Sequence, residues 1–126
     1  MNRGVYVVWL YLPRMMTINV GKLGVFDFNA GVYAYCGSAQ RNLRQRIARH
    51  RRREKNMHWH IDYLRSKADY LGEVILPGSP KEMECALVSE LLRIPAAGYG
   101  VIGFGSSDCR CPSHLIYVPT ARPKQA

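Results

Sequence analysis

Between positions 41 and 53 the sequence places seven arginines (Arg41, Arg44, Arg46, Arg49, Arg51, Arg52 and Arg53) and no acidic residue. Guanidinium groups at this density repel one another, so the natural counter-charge is a polyanion such as a phosphate backbone. The formal net charge is +9, and this segment holds seven of those charges, which leaves the rest of the chain close to neutral. Further along lies His58-Trp59-His60-Ile61-Asp62. On a helix His58 and Asp62 share a face, and a carboxylate there can orient an imidazole, whereas His60 points about 200° away from His58 and reads as structural. Cys109-x-Cys111-x-x-His114 offers three zinc ligands, with a fourth to come from His60 or Cys85. That spacing is unlike paired C-x2-C knuckles, and no second pair follows, so zinc is not expected. The four cysteines (Cys36, Cys85, Cys109, Cys111) do not form a secreted disulfide framework and are expected as reduced thiols.

The elements that must position these groups follow from periodicity. Residues 4–12 are β-branched and aromatic on both alternating faces, the pattern of a central strand covered on each side. A hairpin is predicted over 17–28, another strand over 32–36, and then a helix over 40–53 opened by Gly37-Ser38-Ala39. A second helix is expected over 57–66 with Asn56 as its cap, a strand over 70–76, a third helix over 82–92, a glycine-rich segment over 98–105 and a last strand over 115–118. The class implied is α+β, a mostly antiparallel central sheet flanked by helices. One domain over 1–120 with a frayed polar tail at 121–126 accounts for the 126 residues. No apolar run reaches membrane-spanning length and no secretory leader is read at the start, so a soluble, cytoplasmic protein is expected, without a membrane partner.

Gly4-Val5-Tyr6 and Tyr35-Cys36-Gly37, in this order of elements, resemble the two tripeptides that name the GIY-YIG nuclease superfamily. The passage Tyr35-Cys36-Gly37-Ser38-Ala39 leads into Asn42-Leu43-Arg44-Gln45-Arg46-Ile47, similar to that superfamily's glycine-to-helix stretch with an arginine at the Arg46 position. The run His58 to Tyr63, the pair Glu84-Cys85 and the segment Gly103 to His114 resemble the compact Uri-superfamily endonucleases, so the likeness covers nearly the whole chain. The chain departs from the pattern in Cys36, in the 29 positions between Tyr6 and Tyr35, and in lacking a clear counterpart of a downstream asparagine found in some relatives.

The resemblance implies a phosphodiester hydrolase acting on DNA in repair or processing with one Mg2+ or Mn2+ ion. Glu84 would hold the ion, with Glu90 as the fallback; six helical residues turn through about 240°, so the two face different ways. Arg46 would grip the scissile phosphate through the two-point fork of its guanidinium. Tyr6 and Tyr35 would supply the base or orient the water, an open choice between them. His58, twelve positions after Arg46, falls close to where some homing relatives carry an active-site histidine. Leu43 and Ile47 mark the buried face of the arginine helix, with Arg46, His50 and Arg53 as a stripe along its edge. Arg41, Arg44, Arg49, Arg51 and Arg52 suit non-specific phosphate contacts, joined by His50 and Arg53. Gly37 would let backbone approach an anion, and a helix start at Ser38-Ala39 would aim amides at it. Asp108 and its neighbours would shape the rim. A catalytically silent nucleic-acid-binding module is the alternative, a zinc-dependent interaction protein the third reading; a targeting partner or a homodimer stays open.

Overall fold

Strand β1 (Gly4–Leu12) has apolar residues at nearly every position, so it is stable only where both its faces are covered. The computed structural model, which describes residues 1–106 and 109–120, gives it that place. The chain continues through β2 (Met16–Asn19), a 3-10 turn (Gly21–Leu23), β3 (Val25–Phe28), β4 (Gly31–Ala39), α1 (Leu43–Arg51), α2 (His60–Arg65), β5 (Asp69–Pro77), α3 (Met83–Leu91), β6 (Gly98–Tyr99) and β7 (Leu115–Val118). Five strands form one sheet in the order β5-β1-β4-β7-β6, every neighbouring pair antiparallel, while β2 and β3 make a separate hairpin. The α+β class with an antiparallel central sheet is what the strand pattern predicts. Ser107, Asp108 and the tail 121–126 lie outside the described residues.

The two faces of β1 feed two cores. Tyr6, Val8, Leu10 and Leu12 join Ile18, Phe28, Leu43, Ile47, Ile61, Leu64 and Phe104 on one side. Val7 joins Ala34, Cys36, Ile116 and, from α3, Val88 on the other. Among the described residues no helix is long and apolar enough to cross a membrane.

Two helix boundaries differ from the sequence expectation, each for a local reason. Strand β4 does not stop at Cys36: Gly37, Ser38 and Ala39 pair with Tyr6, Val5 and Gly4, so the ladder holds them extended. Asn42 then takes the left-handed conformation (φ 59°), and α1 starts only at Leu43. Its first amides are already taken, Leu43 N–H by the Asn2 carbonyl (3.2 Å) and Arg44 N–H by Asn2 Oδ1 (2.8 Å). An anion-binding helix start at Ser38-Ala39 is therefore absent. At the other end Lys55 Nζ donates to the Arg49 carbonyl (2.8 Å) and closes the helix short of Arg53.

Helix α2 begins three residues later than expected and without an Asn56 cap. The Asp62 carboxylate accepts the backbone N–H groups of both His58 and Trp59 (2.8 Å each), which holds those residues outside the helix.

Candidate nucleic-acid-cleaving cleft

An open cleft of about 610 Å3 is walled by Tyr6, Tyr35, Arg46, His58 and Glu84, with Arg41 and Lys81 among its other lining residues. These come from five segments: β1, β4, α1, the turn before α2, and α3. Three cationic side chains, Arg41, Arg46 and Lys81, face one carboxylate, Glu84, so the cleft suits an anion.

Tyr6 and Gly37 sit opposite each other in the β1–β4 ladder, and the Tyr6 ring lies across the glycine. A Cβ at Gly37 would come within 2.6 Å of Tyr6 Oη and 2.7 Å of its Cζ. The glycine thus makes room for a tyrosine, not for an approaching anion as its sequence context suggests. Gly105 plays the same part for Tyr35: its φ is +69°, and a Cβ there would meet Tyr35 Cε1 at 2.7 Å.

The Tyr6 hydroxyl is 2.8 Å from His50 Nε2, a buried hydrogen bond. His50 is 2% exposed, so it is a buried support of Tyr6 and not the surface phosphate contact expected of an arginine-helix edge. Burial chiefly, helped by the charge of Lys55, lowers its pKa to about 4, which keeps the ring neutral at pH 7. Its Nδ1 has no hydrogen-bond partner among the described residues. Burial raises the Tyr6 phenol far above its ordinary value, against the opposing pull of the nearby Arg46 charge. Burial also raises Tyr35 well above the ordinary range, with Tyr6 and Glu84 adding to the effect. Both phenols hold their protons in the free protein.

Arg46 is held at two points. One guanidinium nitrogen donates to the Ser38 carbonyl (2.6 Å), and the group lies 4.8 Å from the centre of the Trp59 ring. Trp59 is thereby a positioning group for Arg46. On α3, Glu84 is 6% exposed and lines the cleft, with Oε1 3.7 Å from His114 Nδ1. Glu90 points to solvent and pairs with Arg93 across one turn (3.4 Å).

His58 stands at the mouth, exposed, and the expected imidazole–carboxylate pair with Asp62 does not form. Asp62 is instead completely buried and grips Arg49 through both oxygens (2.9 and 2.8 Å), with Lys55 Nζ at 3.5 Å. Burial would raise the Asp62 pKa, but the bonds from Arg49 and from the Trp59 and His58 amides outweigh it and the net shift is downward. Arg49 also donates to the Asn56 carbonyl (2.8 Å) and stacks 4.5 Å from the Trp59 ring. It is a strut of the turn, not the exposed phosphate contact that its position in the run suggests.

The remaining arginines divide. Arg51 pairs with Glu73 (2.9 Å) and Arg53 with Asp69 (3.0 Å), both at the surface, and Arg53 lies beyond the end of α1 so the expected helical stripe stops at His50. Arg41, Arg44 and Arg52 are exposed, and no hydrogen bond or ion pair holds their side chains among the described residues. His60 Nδ1 accepts the Gly105 amide (2.9 Å), a structural role as expected. Cys85 and Cys111, expected as reduced thiols, are joined in a disulfide: helix and loop bring their Cα atoms to 6.1 Å, within bridging reach.

Residues 5–126 match the family described as Domain of unknown function DUF123, and the chain belongs to that family. No curated protein matches the chain. No solved structure matches it either.

Proposed function

We propose, for this member of the DUF123 family, a divalent-metal-dependent endonuclease that hydrolyses DNA phosphodiester bonds. One observation carries the reading: two tyrosines, an arginine, a histidine and a buried glutamate from five separate segments wall one cationic cleft. The polar ends of these five side chains meet in one place, and their chemistry matches the needs of phosphodiester cleavage.

Arg46 has donors beyond the one given to Ser38, and these can reach two non-bridging oxygens of a phosphate seated against Trp59. Glu84 is rigidly held on a helix and suits a hard cation that keeps most of its water, as Mg2+ and Mn2+ do. A bound ion of this kind supplies Lewis-acid stabilisation of the phosphoryl oxygens and of the leaving oxygen. Tyr35, protonated, donates a hydrogen bond to the phosphate or to the attacking water. Tyr6 has a different task. Its oxygen accepts the water's proton while its own passes to His50 Nε2, which is neutral at pH 7. Arg41 meets the backbone at the cleft's wall, and Arg44 and Arg52 ride on it outside the cleft.

The test is cleavage of labelled single-stranded, duplex and branched DNA with and without EDTA. Glu84→Ala should abolish metal-dependent cutting and leave DNA affinity in EDTA equal or tighter, because the variant loses a negative charge beside the phosphate. Glu90→Ala, which alters only a surface pair, should cut like the parent. Binding without cutting by the parent would leave a silent nucleic-acid-binding module. If Glu84→Ala cuts at the parental rate, the carboxylate mechanism fails.

A further inference from the structure

On the far side of His114 from the cleft, three sulfurs and an imidazole nitrogen converge. Cys85 Sγ and Cys109 Sγ are 2.7 Å apart, Cys109 Sγ and Cys111 Sγ 3.1 Å, and Cys111 Sγ and His114 Nε2 3.3 Å. All four donor atoms lie within 4.8 Å of one another. The Cys85–Cys111 bond accounts for two of these groups. It does not account for Cys109, a free cysteine pressed against both bridged sulfurs, or for a buried imidazole aimed at the same spot.

We infer that in the reduced chain Cys85, Cys109, Cys111 and His114 form a structural Zn2+ site. Three thiolates and a neutral imidazole are the donor set that zinc takes in closed tetrahedral sites. Zn–S bonds of about 2.3 Å set tetrahedral sulfurs about 3.8 Å apart, wider than the 2.7 Å and 3.1 Å that separate Cys109 from Cys85 and Cys111, so the sulfurs move outward to admit the ion once the disulfide is open. His114 meets a second condition. Its Nε2 faces the sulfurs while its Nδ1 faces Glu84 Oε1 at 3.7 Å, the arrangement by which a carboxylate orients a metal-bound imidazole.

The backbone is organised for it as well. Cys109 N–H bonds to the Ser106 carbonyl, Gly103 N–H to Pro112, His114 N–H to Phe104, and Cys36 N–H to the His114 carbonyl. The ligand-bearing segment between β6 and β7 is thus tied to β4 although its described residues form no helix or strand. Its other anchor is Cys85, on the first half of α3 and next to Glu84. A metal here staples a long irregular loop to the helix that carries the cleft's carboxylate.

The exchange between the two states balances. An external dithiol gives two electrons and two protons, opening the Cys85–Cys111 disulfide to two thiols and itself closing to a cyclic disulfide. Zn2+ then displaces three thiol protons, from Cys85, Cys109 and Cys111, to solvent, and the site carries a net charge of −1.

The proposal does not depend on nuclease activity and is tested without it. The full chain is reduced with a dithiol, given Zn2+, freed of excess, and assayed for metal by elemental analysis; one zinc per chain is expected. Co2+ in place of zinc should give thiolate-to-cobalt charge-transfer bands and the visible bands of a tetrahedral ion. Cys109→Ser is the decisive variant, since a Cys85–Cys111 disulfide does not use that sulfur. It should weaken Co2+ binding at least tenfold and alter the charge-transfer bands, while Cys36→Ala, which removes a thiol in the opposite core, should leave both unchanged. After denaturation, the zinc form should release four titratable thiols and the disulfide form two. A reduced parent that stays metal-free, or that gives no tetrahedral Co2+ spectrum, would overturn the site. So would metal binding by Cys109→Ser that equals the parent's.

Discussion

Arg49→Ala separates a structural arginine from the docking ones. The substitution removes two charge-assisted bonds to Asp62, a carboxylate that is 0% exposed, and leaves it with Lys55 Nζ at 3.5 Å and two backbone amides. Taking one partner from a buried ion pair costs about 3–5 kcal/mol. Arg49 keeps 20% of its side chain in solvent and Lys55 stays in place, so the expected loss is about 2–3 kcal/mol. For a domain of this size that lowers Tm by on the order of 10 °C. Arg44→Ala and Arg52→Ala, whose side chains stand in solvent, should each fall within about 0.5 kcal/mol of the parent. DNA binding should reverse the ranking. With Arg41, Arg44 and Arg52 all changed to alanine, the slope of log K against log salt should flatten by up to about 0.9 per lost phosphate contact on duplex. Arg49→Ala should leave that slope unchanged at a temperature where the variant is folded. Thermal melts and fluorescence anisotropy across a salt series give both quantities. The reasoning is refuted if Arg49→Ala melts with the parent yet flattens the slope as the triple variant does.

The other expectations concern the cleft. His50 has a folded pKa of about 4 against 6.5 unfolded, so its contribution to stability is complete above about pH 6.5 and is lost as pH falls towards 4, by about 3 kcal/mol in all. Urea unfolding from pH 4 to 7 should show that loss in the parent and lack it in His50→Leu; equal pH dependence would mean that another group titrates. Gly37→Ala should cost about 1–3 kcal/mol by overpacking against the Tyr6 ring and should break the Tyr6–His50 bond, since the added methyl meets Oη at 2.6 Å. Parental stability in that variant would show that the ring moves aside freely. Arg46→Lys should bind DNA but lose most of its cutting rate, because an ammonium offers no two-point hold; an unchanged rate removes Arg46 from the proposed mechanism.

Patterns with short periods were readable in the residues. Strand β1 and the final strand fall on the expected residues, and the antiparallel sheet follows from them, because each strand carries its own alternation. The helix starts were not readable, since specific hydrogen-bond partners and not periodicity decide them: a ladder partner on β1 keeps Gly37 to Ala39 extended, and one buried carboxylate holds His58 and Trp59 out of α2. Within the cleft, Tyr6, Tyr35, Arg46, His58 and Glu84 do meet, although His58 arrives from a turn and not from a helix face. His50 was misread for a related reason: periodicity put it at the edge of a basic face, while the Tyr6 hydroxyl lies 44 residues away in sequence. The cysteines show the same limit. Nothing in their spacing pairs Cys85 with Cys111, and only the fold sets α3 against the loop so that the two are bridged.

The arginine run carries the largest consequence of this limit. Read as sequence it sets Arg46 apart and leaves six arginines as alike phosphate contacts, but folding commits Arg46 to the cleft, Arg49 to Asp62, and Arg51 and Arg53 to surface acids. Surface pairs are weak enough, at about 0–1 kcal/mol, for Arg51 and Arg53 to exchange a carboxylate for a phosphate, whereas Arg49 cannot without unfolding its turn. Under the proposed function the docking charge of this segment is therefore set by Arg41, Arg44 and Arg52, with Arg51 and Arg53 as recruits. Salt dependence should follow those residues, not the length of the run.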